Sequence, residues 1–119
     1  MLVQGSVPIF PTEDPDKVRS CILNIFPDAE CVLDKSSIVF TTGSMDSFVN
    51  KVRNQEIRDT ALMILERGII DDTTGFNLNK QVAIMGLVNF TDGGTLGVIG
   101  IEVKEGAVEL IEDIRPDLD

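Results

Sequence analysis

Four polar residues recur in the middle of the chain at the spacing of one helical face. They are Lys51, Asn54, Gln55 and Arg58, at positions i, i+3, i+4 and i+7. This face carries no acid and lies opposite an apolar stripe that includes Phe48 and Val52. Cationic groups can meet phosphates, and amides can contact 2′-hydroxyls or exposed bases, so the spacing fits contact with RNA. A solvated helix face explains the same spacing.

A second polar set follows the alternating segment that begins at Phe76. Asn77, Asn79 and Lys80 project from a strand surface if Phe76 and Leu78 point inward. Amide side chains can read bases, and they also bridge the edges of sheets. The two sets together predict one surface, with phosphates at Lys51, Arg58 and Lys80. Asn54, Gln55 and Asn79 would then contact 2′-hydroxyls or bases.

The residue composition gives little support for catalysis, metal binding or a phosphate-binding loop. The chain has no His, and Cys21 and Cys31 are ten residues apart, so we expect no catalytic nucleophile, no metal and no cofactor. Asp71-Asp72 indicates a polar loop. The glycines after Asp92 lead into an alternating strand instead of a helix, which argues against a phosphate-binding loop.

The net charge limits the possible partners of this chain. Twenty acids against ten bases give −10, and residues 101–119 hold seven acids and two bases. Such a charge opposes long-range attraction to nucleic acid, so binding would need a concentrated basic patch. No segment resembles a signal peptide or a membrane span, so we expect a cytoplasmic protein without membrane contact.

The elements that must position these residues follow from periodicity and from helix-capping signals. We predict strands over 2–10, 30–33, 37–42, 74–79, 81–90 and 96–104, with a hairpin turn at 91–94 and a strand or short helix over 107–114. Asp14 and Pro15 begin a first helix that ends at Pro27. Residues 45–67 form one bent helix or two short ones, with the break at Asn54-Gln55 and a C-cap at Gly68.

These elements predict an α+β fold in one domain, residues 1–119. The order is β-α-β-α(α)-β-β-β, with a possible fourth terminal strand, and the helices cover one face of a mainly antiparallel sheet in two layers.

Several segments resemble a family of uncharacterised archaeal proteins described as RNA-binding or exosome-associated. They are 11–18 (PTEDPDKV), 23–27 (LNIFP), 53–61 (RNQEIRDTA), 76–83 (FNLNKQVA), 88–90 (VNF) and Leu96-Gly97. The resemblance implies an archaeal cytoplasmic protein with a fold similar to large-subunit ribosomal protein five. Its matching polar positions are Arg53, Gln55, Asp59, Thr60, Asn79, Lys80 and Gln81. Leu62 and Leu87 stand where the family pattern often has a basic residue.

Three functions remain open from the sequence. A non-enzymatic RNA-associated domain is the leading one. A homodimeric interaction module is the second, because Leu62 and Leu87 could enlarge an apolar patch. The third is a small-molecule or regulatory enzyme site built on Asp59, Thr60, Lys80 and Gln81, which would require a concave pocket that collects these groups.

Overall fold

The computed structural model describes residues 1–92 and 97–116 and shows an α+β fold, as the sequence predicts. Its sheet has five antiparallel strands in the order β2-β3-β1-β5-β4. The strands are β1 (Leu2–Pro8), β2 (Glu30–Asp34), β3 (Ser37–Thr42), β4 (Thr74–Asn79) and β5 (Val98–Glu105). The helices are α1 (Pro15–Ile25), α2 (Asp46–Asn54), α3 (Arg58–Arg67), α4 (Lys80–Ala83) and α5 (Ala107–Ile114).

One face of the sheet is buried under the helices and the other is open to solvent. The inward residues alternate along the strands, as a half-buried sheet requires; they include Val3, Val7, Ile38, Phe40, Phe76, Leu78, Ile99, Ile101 and Val103. The apolar sides of the helices meet them with Val18, Ile22, Phe48, Val52, Ala61, Leu65, Leu110 and Ile114. Within the described residues, no helix is long and apolar enough to cross a membrane.

Phenylalanine rings form the centre of this core. Phe26 stacks on Phe40 with ring centroids 5.5 Å apart, and Phe48 stacks on Phe76 at 5.2 Å. Phe90 meets Phe48 edge-on at 6.2 Å, which brings the segment after α4 against the sheet. Offset and edge-on pairs of this kind add to the stabilisation from burial alone.

The start of α1 confirms the predicted cap. Asp14 has extended backbone, and its side chain accepts a hydrogen bond from the backbone N–H of Asp16 at 2.9 Å. Pro15 occupies the first helical position, where its missing donor has no cost. Cys21 lies buried on the apolar side of the helix as a free thiol, as expected, and burial raises its pKa.

Residues 45–67 form two helices, and the predicted break is confirmed. Helix α2 ends at Asn54 and α3 begins at Arg58. Between them Glu56 has φ +59°, in the left-handed region that ends regular helix. Gly68 closes α3 as predicted. Because the helix is interrupted, Arg58 does not continue the face that carries Lys51 and Asn54.

The strand predicted over residues 81–90 is wrong. Asn79 ends β4, and its side-chain oxygen accepts hydrogen bonds from the backbone N–H groups of Gln81 and Val82, at 2.9 and 3.1 Å. This cap starts the one-turn helix α4, and Gly86 then turns the chain with φ +78°. Residues 93 and 94 of the predicted hairpin turn lie outside the described residues. Of the two alternatives predicted for 107–114, a strand or a short helix, the structure shows the helix, α5.

Helix α5 is capped from a distance by Asp72. The two carboxylate oxygens accept hydrogen bonds from the backbone N–H groups of Gly106 and Val108, at 2.8 and 3.0 Å. The backbone carbonyl of Asp72 accepts a third from Ala107 at 3.1 Å. Gly106, the N-cap residue, has no side chain to do this itself. The Asp71-Asp72 pair therefore includes a structural cap, and these backbone donors lower the pKa of Asp72.

We expect Asp72→Asn to lower the melting temperature by a few degrees at neutral pH, because α5 loses a charged cap. The folded-state pKa of Asp72 lies below its usual 3.8, so the carboxylate stabilises the fold above that pH and less as pH falls through the folded value. The difference between wild type and variant should thus shrink in acid. Thermal melts across pH measure it, with Asp71→Asn as the matched control. An unchanged difference below pH 3.8 would exclude the carboxylate as the cause.

Candidate nucleic-acid interface

Lys80 is buried and does not project from the strand surface, which corrects the sequence-based expectation. The side chain is fully buried at the start of α4. Its Nζ atom donates to Glu13 Oε1 at 2.5 Å and to the carbonyl oxygen of Pro8 at 2.6 Å. It also lies 4.6 Å from the centre of the Phe10 ring. Two donors of the ammonium group are thus bonded to oxygens of the protein, and because the side chain is fully buried it does not face solvent, where a phosphate could reach it.

Glu13 completes this buried pair from the segment before α1. Its Oε1 atom accepts a second hydrogen bond, from the backbone N–H of Phe10, at 2.8 Å. The hydrogen bond from Lys80 is the main reason that the pKa of Glu13 lies below its usual value. The pair joins residues 67 positions apart and links the segment before α1 to the start of α4.

The side chains of Gln55 and Asn79 also form hydrogen bonds with the protein's own backbone. Gln55 Nε2 donates to the carbonyl of Val88, and the N–H of Val88 donates back to Gln55 Oε1, both at 2.8 Å. Asn79 caps α4. Both polar groups of the Gln55 side chain and the side-chain oxygen of Asn79 are thus bonded to the protein's own backbone.

Two further side chains hold the same segment. Asn24 Nδ2 donates to the carbonyls of Ala83 and Ile84, both at 3.1 Å. Lys51 Nζ donates to the carbonyl of Gly86 at 2.7 Å. Together with Gln55 these residues fix the stretch from Ala83 to Val88, here called the pinned loop. An ammonium group has three donors, so Lys51 keeps two that can still meet another partner.

A group of accessible polar residues lies where α2 meets α3. We call this set, Asn50, Lys51, Arg53, Asn54 and Arg58, the α2–α3 corner. Asn50 and Asn54 are exposed, and Arg58 has no hydrogen-bond or ion-pair partner within residues 1–92 and 97–116. Arg53 is partly used, since its guanidinium donates to the carbonyl of Asp113 in α5.

Asn77 lies on the other side of the molecule from this corner. It is exposed on the open face of the sheet, where it lines a depression of about 540 Å³ with Gln4, Ser6 and Glu102. The α2–α3 corner packs on the covered face, so the structure does not join Asn77 to it. The open face carries Glu30 and Glu102, and its cation Lys104 is paired with Glu102 at 2.9 Å.

The remaining predicted positions are also dispersed. Asp59 lines a groove with Arg53 and Arg58, Thr60 is exposed on α3, and Gln81 is exposed on α4. Lys80 is sealed away from all of them, so the four residues of the predicted small-molecule site do not form one. Leu87 is exposed, as a dimer patch requires, whereas Leu62 packs against the core. Within the described residues, no cluster of three or more His, Cys, Asp or Glu could hold a metal ion.

The sequence did not predict the structural roles of three residues, Glu13, Asn24 and Asp72. Glu13 and Asn24 lie inside the segments that carry the family resemblance, and this was their one available signal. Their partners are 59 to 67 residues away, beyond the reach of local periodicity.

The fold and these contacts define a small α+β domain in which most polar motif residues bond to its own backbone. A family model described as RNA binding matches residues 3–105. The UPF0201 protein of Methanocaldococcus jannaschii is 40% identical over 114 residues, which are 89% of this chain and 67% of that protein. The UPF0201 protein of Methanothermobacter thermautotrophicus is 33% identical over 121 residues, covering 98% and 92%.

A solved structure agrees. The crystal structure of the UPF0201 protein from Methanococcus jannaschii superposes with a TM-score of 0.84 at 37% identity, covering 98% of this chain and 100% of that one. The chain belongs to the archaeal UPF0201 family.

Proposed function

We propose that this protein is a non-enzymatic RNA-associated domain that contacts RNA through the α2–α3 corner. The observation that carries the proposal is the match of residues 3–105 to a family model described as RNA binding. The corner is the proposed site because it presents accessible cations and amides on adjacent helices. The corner retains Lys51, Asn54 and Arg58 from the predicted surface and adds Asn50 and Arg53. The other predicted residues, Gln55, Asn77, Asn79 and Lys80, are not part of it.

Two grooves flank the corner and give it shape. One of about 430 Å³ runs beside α2 and is lined by Asn50, Lys51 and Asn54 together with Ser47. The other, of about 460 Å³, is lined by Arg53 and Arg58 at the start of α3. A single strand that passes from one groove to the other would place phosphates at Lys51 and Arg58 and a 2′-hydroxyl or base near Asn54.

The charge of the protein sets the expected strength of this contact. Acids also line the grooves, among them Asp28, Asp46, Glu56 and Asp59. With a net charge of −10, long-range steering is unfavourable, and affinity depends on a few short-range phosphate contacts. We therefore expect weak binding that is measurable at low salt and falls as salt rises.

The inventory also supports a non-enzymatic role. The chain has no His to act as a base near neutral pH, and its buried lysine is paired with Glu13 and bonded to the carbonyl of Pro8. The chain has no His that could activate either Cys, and burial raises the pKa of both thiols.

We expect Arg58→Gln and Lys51→Gln to weaken binding of single-stranded RNA uniformly across sequences. Each lost phosphate contact should reduce the slope of log K against log salt by about 0.7. Fluorescence anisotropy with single-stranded and structured RNA at several salt concentrations measures both quantities.

Arg67→Gln and Lys104→Gln are the matched controls. Each removes one positive charge, from the far end of α3 and from β5, and so tests whether net charge alone is responsible. Equal losses in all four variants would reject the corner as the site. An absence of binding by the wild type at low salt would reject RNA association itself.

A further inference from the structure

The groove at the start of α3 carries two positive and two negative side chains. It is lined by Arg53, Glu56, Arg58, Asp59 and Pro116 and has a volume of about 460 Å³. A volume of this size is in the range that holds a small ligand. Because the four charges cancel, the groove as a whole suits a neutral group that both donates and accepts hydrogen bonds better than it suits a further phosphate.

None of these four charged side chains belongs to an ion pair within the described part of the chain. The ion pairs of residues 1–92 and 97–116 are Lys80–Glu13, Lys104–Glu102 and Arg115–Glu66. Glu56 and Asp59 are exposed to solvent, whereas Arg53 and Arg58 are partly buried. Opposite charges that line one groove without pairing leave donors and acceptors available to a ligand.

Arg53 is anchored at one end of its guanidinium group. The Nη2 atom donates to the carbonyl oxygen of Asp113, near the end of α5. The Nε atom is buried and has no hydrogen-bond partner among the described residues, so the protein alone does not complete the contacts of this side chain. A side chain that is already fixed loses little conformational entropy when its other donors meet a ligand.

The turn between α2 and α3 brings the ends of both helices to this groove. Glu56 has φ +59°, a left-handed conformation that costs energy in a residue other than Gly and that is found most often at functional sites. The N–H of Glu56 donates to the carbonyl of Arg53 at 3.1 Å. The N–H of Ile57 donates to the carbonyl of Val52, also at 3.1 Å. This fixed turn lets a guanidinium from α2 and the carboxylate of Asp59 from α3 line one groove.

We propose that the groove binds a guanine base of single-stranded RNA, an inference that rests on the RNA function proposed above. Guanine presents two neighbouring acceptors, O6 and N7, and two neighbouring donors, at N1 and at the exocyclic N2. Arg53 donates to O6 and N7, and the carboxylate of Asp59 accepts from N1 and N2. Arg58 keeps its phosphate contact, and the ring of Pro116 lies against the face of the base.

The other bases match this arrangement less well. Adenine has an amino group where guanine has O6, so it would turn a donor towards the guanidinium of Arg53, and the pyrimidines have no N7. We therefore expect a preference for guanine of about tenfold. Arg53 and Asp59 together carry no net charge, so this preference should change little with salt, while the binding of every RNA weakens as salt rises.

Fluorescence anisotropy of the full chain with a short oligouridine tests the inference. The comparison is with the same oligomer carrying one guanosine, adenosine or inosine at its centre. The guanosine oligomer should bind about tenfold more tightly than the oligouridine, and the adenosine oligomer should bind like the oligouridine. Inosine lacks the N2 amino group, so it should recover only part of the preference.

Asp59→Asn separates recognition of the base from the effect of charge. The loss of a negative charge should leave binding of oligouridine unchanged or tighter, yet the preference for guanosine should disappear. Arg53→Lys keeps the positive charge and loses the planar fork, so it should also abolish the preference. Glu56→Gln is the matched control, because it removes the same charge from the same groove and should retain the preference.

Three results would overturn the inference and leave RNA association standing. The first is equal binding of the guanosine oligomer and either the oligouridine or the adenosine oligomer. The second is a preference that survives both Asp59→Asn and Arg53→Lys. The third is a loss in Glu56→Gln as large as in Asp59→Asn. A wild type that binds no oligomer at low salt would reject both proposals. Circular dichroism of each variant checks that the fold is retained.

Discussion

Glu13→Ala is expected to lower the free energy of unfolding by about 3 kcal/mol, because it leaves the ammonium of Lys80 buried without its counterion. Lys80 is fully buried, and its remaining contacts, the Pro8 carbonyl and the Phe10 ring, are both uncharged. The loss lies at the low end for a broken buried pair, because the side chain of Glu13 is 21% exposed and water can enter in its place. Urea unfolding at neutral pH measures the change.

Glu66→Ala supplies the matched control for this substitution. It breaks a pair of similar length, Arg115 to Glu66 at 2.9 Å, in which both side chains are about half exposed. Exposed pairs contribute little, so we expect a change below about 1 kcal/mol. If the two variants lost equal stability, burial of Lys80 would not be the cause.

Lys80→Met tests the other half of the same pair. It removes the charge and keeps an apolar stem that can pack against Phe10, so it should cost less than Glu13→Ala. In the double variant the penalty for an unpaired ammonium disappears. The loss in Glu13→Ala/Lys80→Met should therefore fall below the sum of the single losses, and additive losses would contradict a direct interaction.

The contribution of Glu13 should also depend on pH. Its pKa is lowered in the folded state from 4.5, chiefly by the hydrogen bond from Lys80. A carboxylate with a lowered folded pKa stabilises the fold above the unfolded value and loses that effect as pH falls through the folded value. The gap between wild type and Glu13→Ala should be constant near neutrality and close progressively below pH 4.5.

Local patterns in the sequence were sufficient to predict much of the fold. Alternation in the segments around Val7, Phe40 and Phe76 predicted β1, β3 and β4, because each strand has one face on the core. The Asp14-Pro15 pair predicted the start of α1, since capping involves only neighbouring residues. Both signals act over a few positions, and no knowledge of distant partners is needed to use them.

The wrong prediction of a strand over 81–90 shows a limit of local sequence patterns. Val82 to Met85 is a short apolar run, which fits a buried strand and a turn of helix equally well. The choice was made by the Asn79 cap and by Asn24, Lys51 and Gln55, which bond to this segment across 33 to 60 residues. Contacts at such separation leave no periodic trace in the sequence.

The contacts of three predicted site residues also went unpredicted, for a related reason. Gln55, Asn79 and Lys80 are polar residues beside apolar runs, and this pattern does not distinguish a residue that awaits a ligand from one that bonds to its own backbone. Their side chains satisfy backbone groups that would otherwise be buried without partners. Within the described residues, the side chains of Arg58 and Asn54 make no hydrogen bond of this kind.

Gly5→Ala should be among the most damaging single-methyl additions to this fold, with a loss of about 3 kcal/mol. Gly5 lies in β1 opposite Phe40, and its backbone is not left-handed, so the requirement for glycine is purely one of space. A Cβ atom there would lie 2.3 Å from Phe40 Cζ and 2.7 Å from the carbonyl oxygen of Gly100. The ring cannot move freely, because Phe40 is buried and stacks on Phe26. The oxygen belongs to the neighbouring strand β5, so the sheet itself would have to shift.

Gly75→Ala is the matched control, in β4 on the open face of the same sheet. The nearest atom to its added Cβ would be the carbonyl oxygen of Ile101 at 3.4 Å, an ordinary contact. Here alanine should be neutral or stabilise by about 0.5 kcal/mol, because it reduces the freedom of the unfolded chain at no cost to the folded one. Urea unfolding of both variants separates the two effects of one methyl group. A large loss in Gly75→Ala would show that an added methyl group is costly on either face of this sheet, whereas a loss confined to Gly5→Ala would place the cost in the contact between β1, Phe40 and β5.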